Sequence, residues 1–411
     1  MFAEWQGGEL VRIHLDSGVR KRIRPSPKEG NPRFRFNWNA PFFISPHRGT
    51  TLYFGGNYVF RLTERGDKWE RISEDLSTKA LEKFESVGSE AETHGTVVSL
   101  AESPLKAGIL WAGTDDGLVH TTSDAGKSWR NVTPEMVAGR YISKIEPSHN
   151  DHNAAYVSVD GHRSDDMDPH VLMTLDSGRT WADITGDLPP GHSVKCVRED
   201  LHNANVLYAG TENAIHVSID RGRHWVKANA DSLPTVAVDD IVQHPRETDL
   251  VLGTHGRSIF VLDDASFFAQ LTPEAVQSTM KLFDIRPAKP KVYLPYGGLW
   301  SDRLFQAENP PMGARITYWI GAFTDEDVKI AIADSKGTVI RNLKGPNRPG
   351  VNRVVWNLEG EKHDQFNNPD AELGQKPFVP TGKYKVTLTM GKLSETKDFE
   401  VLPAPGAKPG A

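Results

Sequence analysis

Thr122-Ser123-Asp124-Ala125-Gly126-Lys127-Ser128-Trp129 returns twice along the chain, as Thr174-Leu175-Asp176-Ser177-Gly178-Arg179-Thr180-Trp181 and as Ser218-Ile219-Asp220-Arg221-Gly222-Arg223-His224-Trp225. A weaker copy, Leu62-Thr63-Glu64-Arg65-Gly66-Asp67-Lys68-Trp69, comes first. In every copy an acid is followed two residues later by Gly and five later by Trp. The pattern suits a β-hairpin. The carboxylate accepts backbone N–H bonds across the turn, Gly takes the positive φ, and Trp opens the next strand as a packing anchor. Recurrence marks an internal repeat. A structural role for Asp124, Asp176 and Asp220 explains why the same acid repeats, despite their appeal as catalytic carboxylates.

Outward from the hairpins, a four-strand unit emerges. First strands are expected at Phe42–His47, Val97–Glu102, Ile142–Pro147, Val194–Glu199 and Asp239–His244. Second strands follow at Leu52–Gly56, Leu110–Thr114, Ala155–Val159, Leu207–Thr211 and Leu250–Thr254. A third strand leads into each hairpin and the fourth begins at its Trp. Four antiparallel strands per ~45 residues is the period of a β-propeller blade. The fifth unit ends at Ser258–Asp263 without the hairpin, as an atypical terminal repeat does. Residues 9–24 read as two strands around Asp16-Ser17-Gly18, the outer half of a unit whose inner half is missing, with Arg20-Lys21-Arg22 on a solvated strand face. Helical periodicity is scarce, its best stretch being Leu76–Val87.

The expected architecture is therefore all-β. Residues 1–270 hold propeller blades, a half blade at 1–27 and five repeats over about 36–268. A Pro-rich connector occupies 271–312. Alternating strands over 313–403 read as an Ig/FnIII-like β-sandwich, and the Pro/Gly/Ala-rich residues 404–411 as a disordered tail.

Composition narrows the function classes. With 411 residues the chain has room for two or three domains, and 38% hydrophobic with 25% charged residues is a globular composition. A net charge of -6 disfavours nucleic acid or an acidic membrane surface as the main partner. No apolar run approaches the ~18 residues of a membrane span. Cys196, the single cysteine, reads as a small buried thiol rather than a nucleophile. Residues 1–8 carry neither the basic nor the apolar region of a secretory signal.

Further phrases extend the pattern: Arg35-Phe36-Asn37-Trp38-Asn39-Ala40-Pro41, Gly113-Thr114-Asp115-Asp116-Gly117, Gly210-Thr211-Glu212, Thr254-His255-Gly256-Arg257-Ser258, Asn309-Pro310-Pro311-Met312-Gly313-Ala314 and Pro380-Thr381-Gly382-Lys383-Tyr384. With the hairpins, they make the chain resemble the Asp-box, or BNR-repeat, proteins. That motif is shared by sialidases, xyloglucanase-type glycoside hydrolases and the sortilin-type propeller. The resemblance is closest to large bacterial sortilin-like BNR proteins often labelled glycosyl hydrolases, and it covers nearly the whole chain. It implies an exported protein in which Asp124, Gly126, Trp129, Asp176, Gly178, Trp181, Asp220, Gly222 and Trp225 build turns on the outer rim of the blades, away from the channel. Proteins of that group are much longer, and five and a half units do not comfortably close a ring. The chain is accordingly expected to be the C-terminal portion of a larger propeller protein or to be completed by a partner chain, since an open edge needs a partner.

Function is expected opposite the hairpins, near the ends of the inner strands. Glycoside hydrolysis needs two carboxylates ~5–9.5 Å apart across a sugar. Asp116, Glu212 and Asp115, just after second strands, are the catalytic candidates for that chemistry, with Asp239 and Asp240 behind them. Turn capping or pairing with Arg is the plainer role for such acids. Arg35, Asn37, His47, His255 and Arg257 are candidates for an anion- or sugar-binding mouth, Arg gripping a carboxylate and Asn bonding hydroxyls. Ties between neighbouring strands are the plainer role there. No sialidase arginine triad with its tyrosine nucleophile can be assembled. The Asp160–His170 loop holds Asp165, Asp166 and Asp168 without EF-hand spacing and reads as a solvated insertion. His149 and His152 lack a third zinc ligand. Nucleophile elbows, phosphate loops and Cys pairs are absent, so no metal or cofactor is expected. A non-enzymatic propeller module that binds a protein, peptide or glycan fits best, and a xyloglucanase-like glycoside hydrolase is the alternative.

Overall fold

Short strands with apolar residues on both faces need cover on both faces, and stacking sheet on sheet supplies it. The computed structural model describes residues 1–30, 32–83, 93–229, 233–290, 311–360 and 378–404. The chain divides into two units, Met1–Asp263 and Asp264–Ala411. Among the described residues no helix is long and apolar enough to cross a membrane.

The described strands of the first unit form six antiparallel sheets. The first has three strands, β1 (Phe2–Trp5), β2 (Glu9–Ile13) and β3 (Arg20–Arg22). Four-stranded sheets follow: β4 (Phe42–Ile44) to β7 (Lys68–Arg71), with β5 (Leu52–Gly55) and β6 (Val59–Thr63) between; then β8 (Val97–Glu102), β9 (Leu110–Thr114), β10 (Val119–Thr122) and β11 (Arg130–Asn131). The fourth comprises β12 (Tyr141–Pro147), β13 (Ala155–Asp160), β14 (His170–Thr174) and β15 (Ala182–Asp183). The fifth comprises β16 (Val194–Glu199), β17 (Leu207–Thr211), β18 (Ile215–Ser218) and β19 (Val226–Lys227). The sixth stops at three, β20 (Val238–Gln243), β21 (Leu250–Thr254) and β22 (Ile259–Leu262).

Strand alternation decides which neighbour each side chain meets. In the third sheet Leu110 and Ala112 share a core with Tyr53 and Val59 of the second, while Trp111 and Val119 share one with Ile142 and Ile145 of the fourth. Tyr156 and Val171 repeat the step toward Val194 and Val197 of the fifth. Each such fully buried side chain stabilises the stack by roughly 1.5–3 kcal/mol. The first strands converge. Lys144 of β12 reaches Asp240 of β20 at 3.1 Å, and Arg198 of the intervening β16 meets both Glu146 (2.6 Å) and Asp240 (3.0 Å). Successive sheets stacked face to face with their first strands innermost define the architecture. The first unit is a partial β-propeller.

The hairpins behave as the repeat requires. Asp124, Asp176 and Asp220 accept the backbone N–H of Ser128, Thr180 and His224, each at 2.9 Å. Two consecutive residues are left-handed in each turn, Ala125-Gly126, Ser177-Gly178 and Arg221-Gly222. Trp129, Trp181 and Trp225 donate Nε1–H to the carbonyls of Ile72, Val132 and Ile184, at 2.8, 2.8 and 3.1 Å, in the preceding unit. The motif is thus an inter-sheet clasp as well as a turn. In the weaker copy Gly66 still lies against Ile23, but Glu64 pairs with Lys68 and Trp69 packs on Phe34 and Phe60.

Three sequence expectations differ from the structure. The first sheet has a third strand, β1, turned by Gly7 and Gly8 at φ +76° and +78°. The helical stretch reduces to one 3-10 turn at Leu81–Lys83 in its described part. The connector is not one throughout: α1 (Pro273–Gln277) and β23 (Met280–Leu282) lie within it, and Leu282, Ile285 and Ala288 enter the core of the second unit. That unit is a two-sheet sandwich. One sheet pairs β23 with β24 (Ala314–Ile320) and β27 (Gly350–Trp356); the other orders β26 (Val339–Gly345), β25 (Val328–Ala333), β28 (Gly382–Met390) and β29 (Leu393–Val401). Of the expected tail, residues 405–411 lie outside the described residues.

Candidate functional site

Antiparallel pairing puts the start of each first strand beside the end of each second strand, and there the ladder slips. Register shifts recur between Val97 and Ser99, Tyr141 and Lys144, Val194 and Cys196, and Val238 and Asp240. An extra residue in one strand bends it and re-aims a side chain. At the fifth sheet that residue is Lys195. Its ammonium reaches Asp160 Oδ2 at 2.8 Å, Glu212 Oε1 at 2.5 Å and His162 Nδ1 at 3.1 Å. Ser193 donates to Asp160 (2.8 Å) and Glu212 (3.2 Å), and His162 Nδ1 lies 2.6 Å from Asp160. Burial works against the charge of Asp160, yet Lys195, His162 and Ser193 together hold its pKa below the usual carboxylate value. Ligand atoms of Asp160, His162 and Glu212 lie within 4.8 Å of one another. The lysine already supplies the positive charge that such a set calls for.

Two sheets earlier the same place is built around Asp115. Thr96 gives it a backbone N–H at 2.8 Å and a hydroxyl at 3.0 Å, Asn37 donates Nδ2–H at 3.3 Å, and His94 Nδ1 lies 3.8 Å away. Burial pushes the pKa of Asp115 above the ordinary aspartate value; Thr96 and His94 oppose this, and neighbouring Asp116 adds to it. Between the two clusters stands Tyr141. Burial raises its phenol to about 12, with Asp115 and Asp160 both contributing and Arg163 opposing. The Arg163 guanidinium covers the ring at 4.9 Å. Asn37, Asp115, Tyr141, Arg163, Asp160, Lys195 and Glu212 therefore form one polar rim at the second-strand ends.

No protein-family model and no curated relative matches the chain. Solved structures do match it. YCF48 from Cyanidioschyzon merolae is 15% identical, with 62% of this chain and 77% of that one covered and a TM-score of 0.43. An ancestral GH74 enzyme is 12% identical, with 88% and 46% covered and a TM-score of 0.43. PorZ, a surface component of the type-IX secretion system of Porphyromonas gingivalis, is 13% identical, with 98% and 50% covered and a TM-score of 0.43. The chain spans about half the length of the last two. At these identities the likeness concerns the fold alone.

The rim gathers some of the residues singled out from sequence and scatters others. Asn37 and Asp115 meet directly, and Glu212 sits in the lysine cluster. Asp116 turns inward: 6% exposed, it accepts bonds from Thr78 N (2.7 Å), Thr78 Oγ1 (2.8 Å) and Thr114 Oγ1 (2.5 Å). Arg35 ties its own sheet to the next, through Asp75 (2.9 Å), Ser77 (3.0 Å) and the Gly95 carbonyl (3.1 Å). His47 lies at the other end of its strand, with Nε2 2.8 Å from the Ser103 carbonyl. His255 pairs with Asp239 at 3.3 Å and Arg257 is exposed, both on the sixth sheet. The oxygen-rich loop disperses its acids: Asp166 takes Arg140 (2.7 Å) and His170 (3.0 Å), while Asp168 accepts the Gly191 N–H (3.3 Å). His149 is paired with Glu146 at 3.2 Å. Cys196 is buried, and burial raises its thiol to about 12.

Sequence reasoning missed Lys195, Asp160, His94, Thr96, Ser193 and Tyr141. Superposing the repeats carries a signal for two of them. Thr96 and Ser193 both directly precede a first strand, where a short hydroxyl reaches the acid at the end of the second.

Proposed function

We propose that the first unit is a non-enzymatic binding propeller of the Asp-box, sortilin-like kind, and that it takes a protein, peptide or glycan ligand on the rim. The observation that supports this reading is the state of its carboxylates. Glu212 and Asp160 share the Lys195 ammonium, and Asp116 is buried with its oxygens engaged. What the rim offers a ligand is a row of partly open polar groups, with the exposed Arg163 guanidinium as donor and the half-buried Asn37 amide beside it. Such groups fix the orientation of hydroxyls, amides or carboxylates. Titrating the protein with a panel of oligosaccharides and peptides by calorimetry tests the reading. Asn37→Ala and Arg163→Ala should each weaken a ligand found in this way about tenfold, the effect of ~1.4 kcal/mol, in variants that far-UV circular dichroism shows to be folded. Unaltered affinity in both variants would remove the rim from the binding site.

One observation favours a glycoside hydrolase as the second reading. Asp115 is an aspartate whose pKa burial has raised, the condition of a general acid. Turnover of aryl glycosides or polysaccharides that is lost in Asp115→Asn would establish it and sink the binding-only view.

A further inference from the structure

Four sheets of the first unit hold their fourth strand on the same terms. The docking residues are 69–73, 129–133, 181–185 and 225–229, each set a tryptophan followed four places on by Ser, Thr or Asn. The fourth residue of each set donates its N–H to a carbonyl near the start of the third strand: Ile72 to Val59 (2.9 Å), Val132 to Val119 (2.8 Å), Ile184 to Val171 (2.9 Å) and Ala228 to Ile215 (2.9 Å). The fifth takes the N–H of that same third-strand residue on a side-chain oxygen. Ser73 accepts from Val59 and Thr133 from Val119, both at 2.8 Å, Thr185 from Val171 at 3.0 Å and Asn229 from Ile215 at 3.1 Å. The indoles of Trp129, Trp181 and Trp225 add a third tie, to the carbonyl of the fourth residue of the preceding set.

The sixth sheet has the receiving half of this arrangement and, among the described residues, not the docking half. β22 is its outermost strand. Thr254 N–H bonds the Ser258 carbonyl, and hydrogen-bonded pairs alternate along an antiparallel ladder, so β22 meets β21 through Phe260 and Leu262. The N–H and C=O of Ile259 and Val261 therefore point off the open edge, where no described residue bonds them. Ile259 is the counterpart of Val59, Val119, Val171 and Ile215, and it is 69% exposed where they are at most 3%. The fifth sheet repeats the finding. Its Ala228 carbonyl, the counterpart of the three that accept indoles, receives no described donor. Val226 beside it is 68% exposed, at the position from which Arg130 of the third sheet reaches the next hairpin, through the Ser177 carbonyl at 2.9 Å.

We infer that the open edge of β22 takes an extended segment of another polypeptide as its fourth strand, one that reads Trp-x-x-apolar-Ser/Thr/Asn. The four sets within the chain define that chemistry. Main-chain bonds to Ile259 and Val261 hold the segment, as in other strand additions. Its identity comes from the hydroxyl or amide on the Ile259 N–H, the apolar residue beside the exposed Ile259 side chain, and the indole on the Ala228 carbonyl. An unpaired edge flanked by apolar side chains is a template for such pairing. The inference does not depend on any ligand of the rim, which lies at the second-strand ends.

A fluorescently labelled peptide copying residues 179–186, Arg-Thr-Trp-Ala-Asp-Ile-Thr-Gly, tests it against the full chain by anisotropy. The peptide should bind saturably below ~1 mM. Replacing its tryptophan with alanine, or the threonine after its isoleucine with valine, should each weaken it about tenfold. Methylating the backbone nitrogen of that isoleucine removes the N–H meant for the Ile259 carbonyl and should abolish binding. So should Val261→Pro, a substitution tolerated at an open strand edge, in a protein that far-UV circular dichroism shows to be folded. Absence of saturable binding would overturn the inference, as would binding that survives backbone methylation or the folded Val261→Pro protein, or that a scrambled peptide matches. Self-association of the chain that blocks the peptide, seen by light scattering, would assign the edge to a second copy and overturn it as well.

Discussion

Replacing Lys195 with methionine keeps the length of the side chain and removes its charge. The lysine is 13% exposed and Asp160 5%, whereas Glu212 is 28% exposed and can turn to water. Asp160 therefore carries the cost: a buried carboxylate left with His162, Ser193 and the more distant Arg163 guanidinium at 3.9 Å. Removing one partner of a buried ion pair costs about 3–5 kcal/mol, and the exposure of Glu212 places Lys195→Met near the low end, about 3 kcal/mol. The pH dependence follows from the sign of the shift. In the native protein Asp160 titrates below its unfolded value near 3.9, so its contribution is full above that value and is lost as pH falls through the lower folded one. In the variant the folded pKa rises above the unfolded one, so the deficit is greatest at neutral pH and shrinks toward pH 4 as the carboxyl protonates. Urea unfolding at pH 7, 5.5 and 4, followed by tryptophan fluorescence, measures this; Trp111, Trp129, Trp181 and Trp225 all lie in the first unit. Adding Asp160→Asn should recover about 2 kcal/mol of the loss, the coupling expected of contacting residues. A Lys195→Met protein within ~0.5 kcal/mol of the native one at every pH would refute the reasoning.

The clasp and the buried histidines give further expectations. Gly222→Ala meets a left-handed backbone (φ +87°) and the Ile184 side chain and carbonyl at 2.8 Å, and it should cost about 2–4 kcal/mol in urea melts, left-handed strain and overpacking combined. Trp181→Phe removes the bond to the Val132 carbonyl and should cost about 1 kcal/mol, with faster amide exchange at the β11 edge. His120 and His216, at the same position of two third strands, are each held at about 4 by burial. Their folded values lie below the unfolded one near 6.5, so stability is full above pH 6.5 and falls as pH drops toward 4. His216→Phe should flatten part of that decline in melting curves between pH 7 and 4.

The strand plan was legible because it is local. An acid, a glycine and a tryptophan within six residues specify the hairpin, and the alternation beside it specifies strands, so repeats can be counted without knowing what they touch. The rim is not local in this sense. Lys195 sits 35 residues from Asp160, and what joins them is a register slip at Val194 and Cys196 that leaves no mark in residue type. Arg35 looked like a ligand-gripping residue for the same reason. Its side chain could be judged only once Asp75, 40 residues on, was seen to meet it. β1 was hidden by a different cause: Phe2-Ala3-Glu4-Trp5 is too short to show alternation, and only the paired left-handed glycines after it betray the turn.

Asp115 and Asp116 show how one strand end separates two adjacent acids with the same credentials. The two lie in the turn that follows β9 and take different partners, so only one of the pair stays on the rim. Asp116 goes inward, where the Thr78 and Thr114 hydroxyls and a backbone N–H meet its oxygens, and it serves the contact between the second and third sheets. Asp115 stays at the edge, and burial, with a second carboxylate beside it, pushes its pKa above the ordinary aspartate value. A hydrolase would still need a second carboxylate across the substrate, ~5–9.5 Å away and free to act. The acids that follow along the rim, Asp160 and Glu212, are both bound to Lys195. A substrate that recruited either would first have to displace an ammonium held at two carboxylates, losing charge-assisted bonds of the strongest kind. Hydroxyls and amides, which need only share the outer lone pairs and the exposed Arg163 donors, face no such barrier. The proposal of binding over hydrolysis therefore rests on the geometry of one bulged lysine.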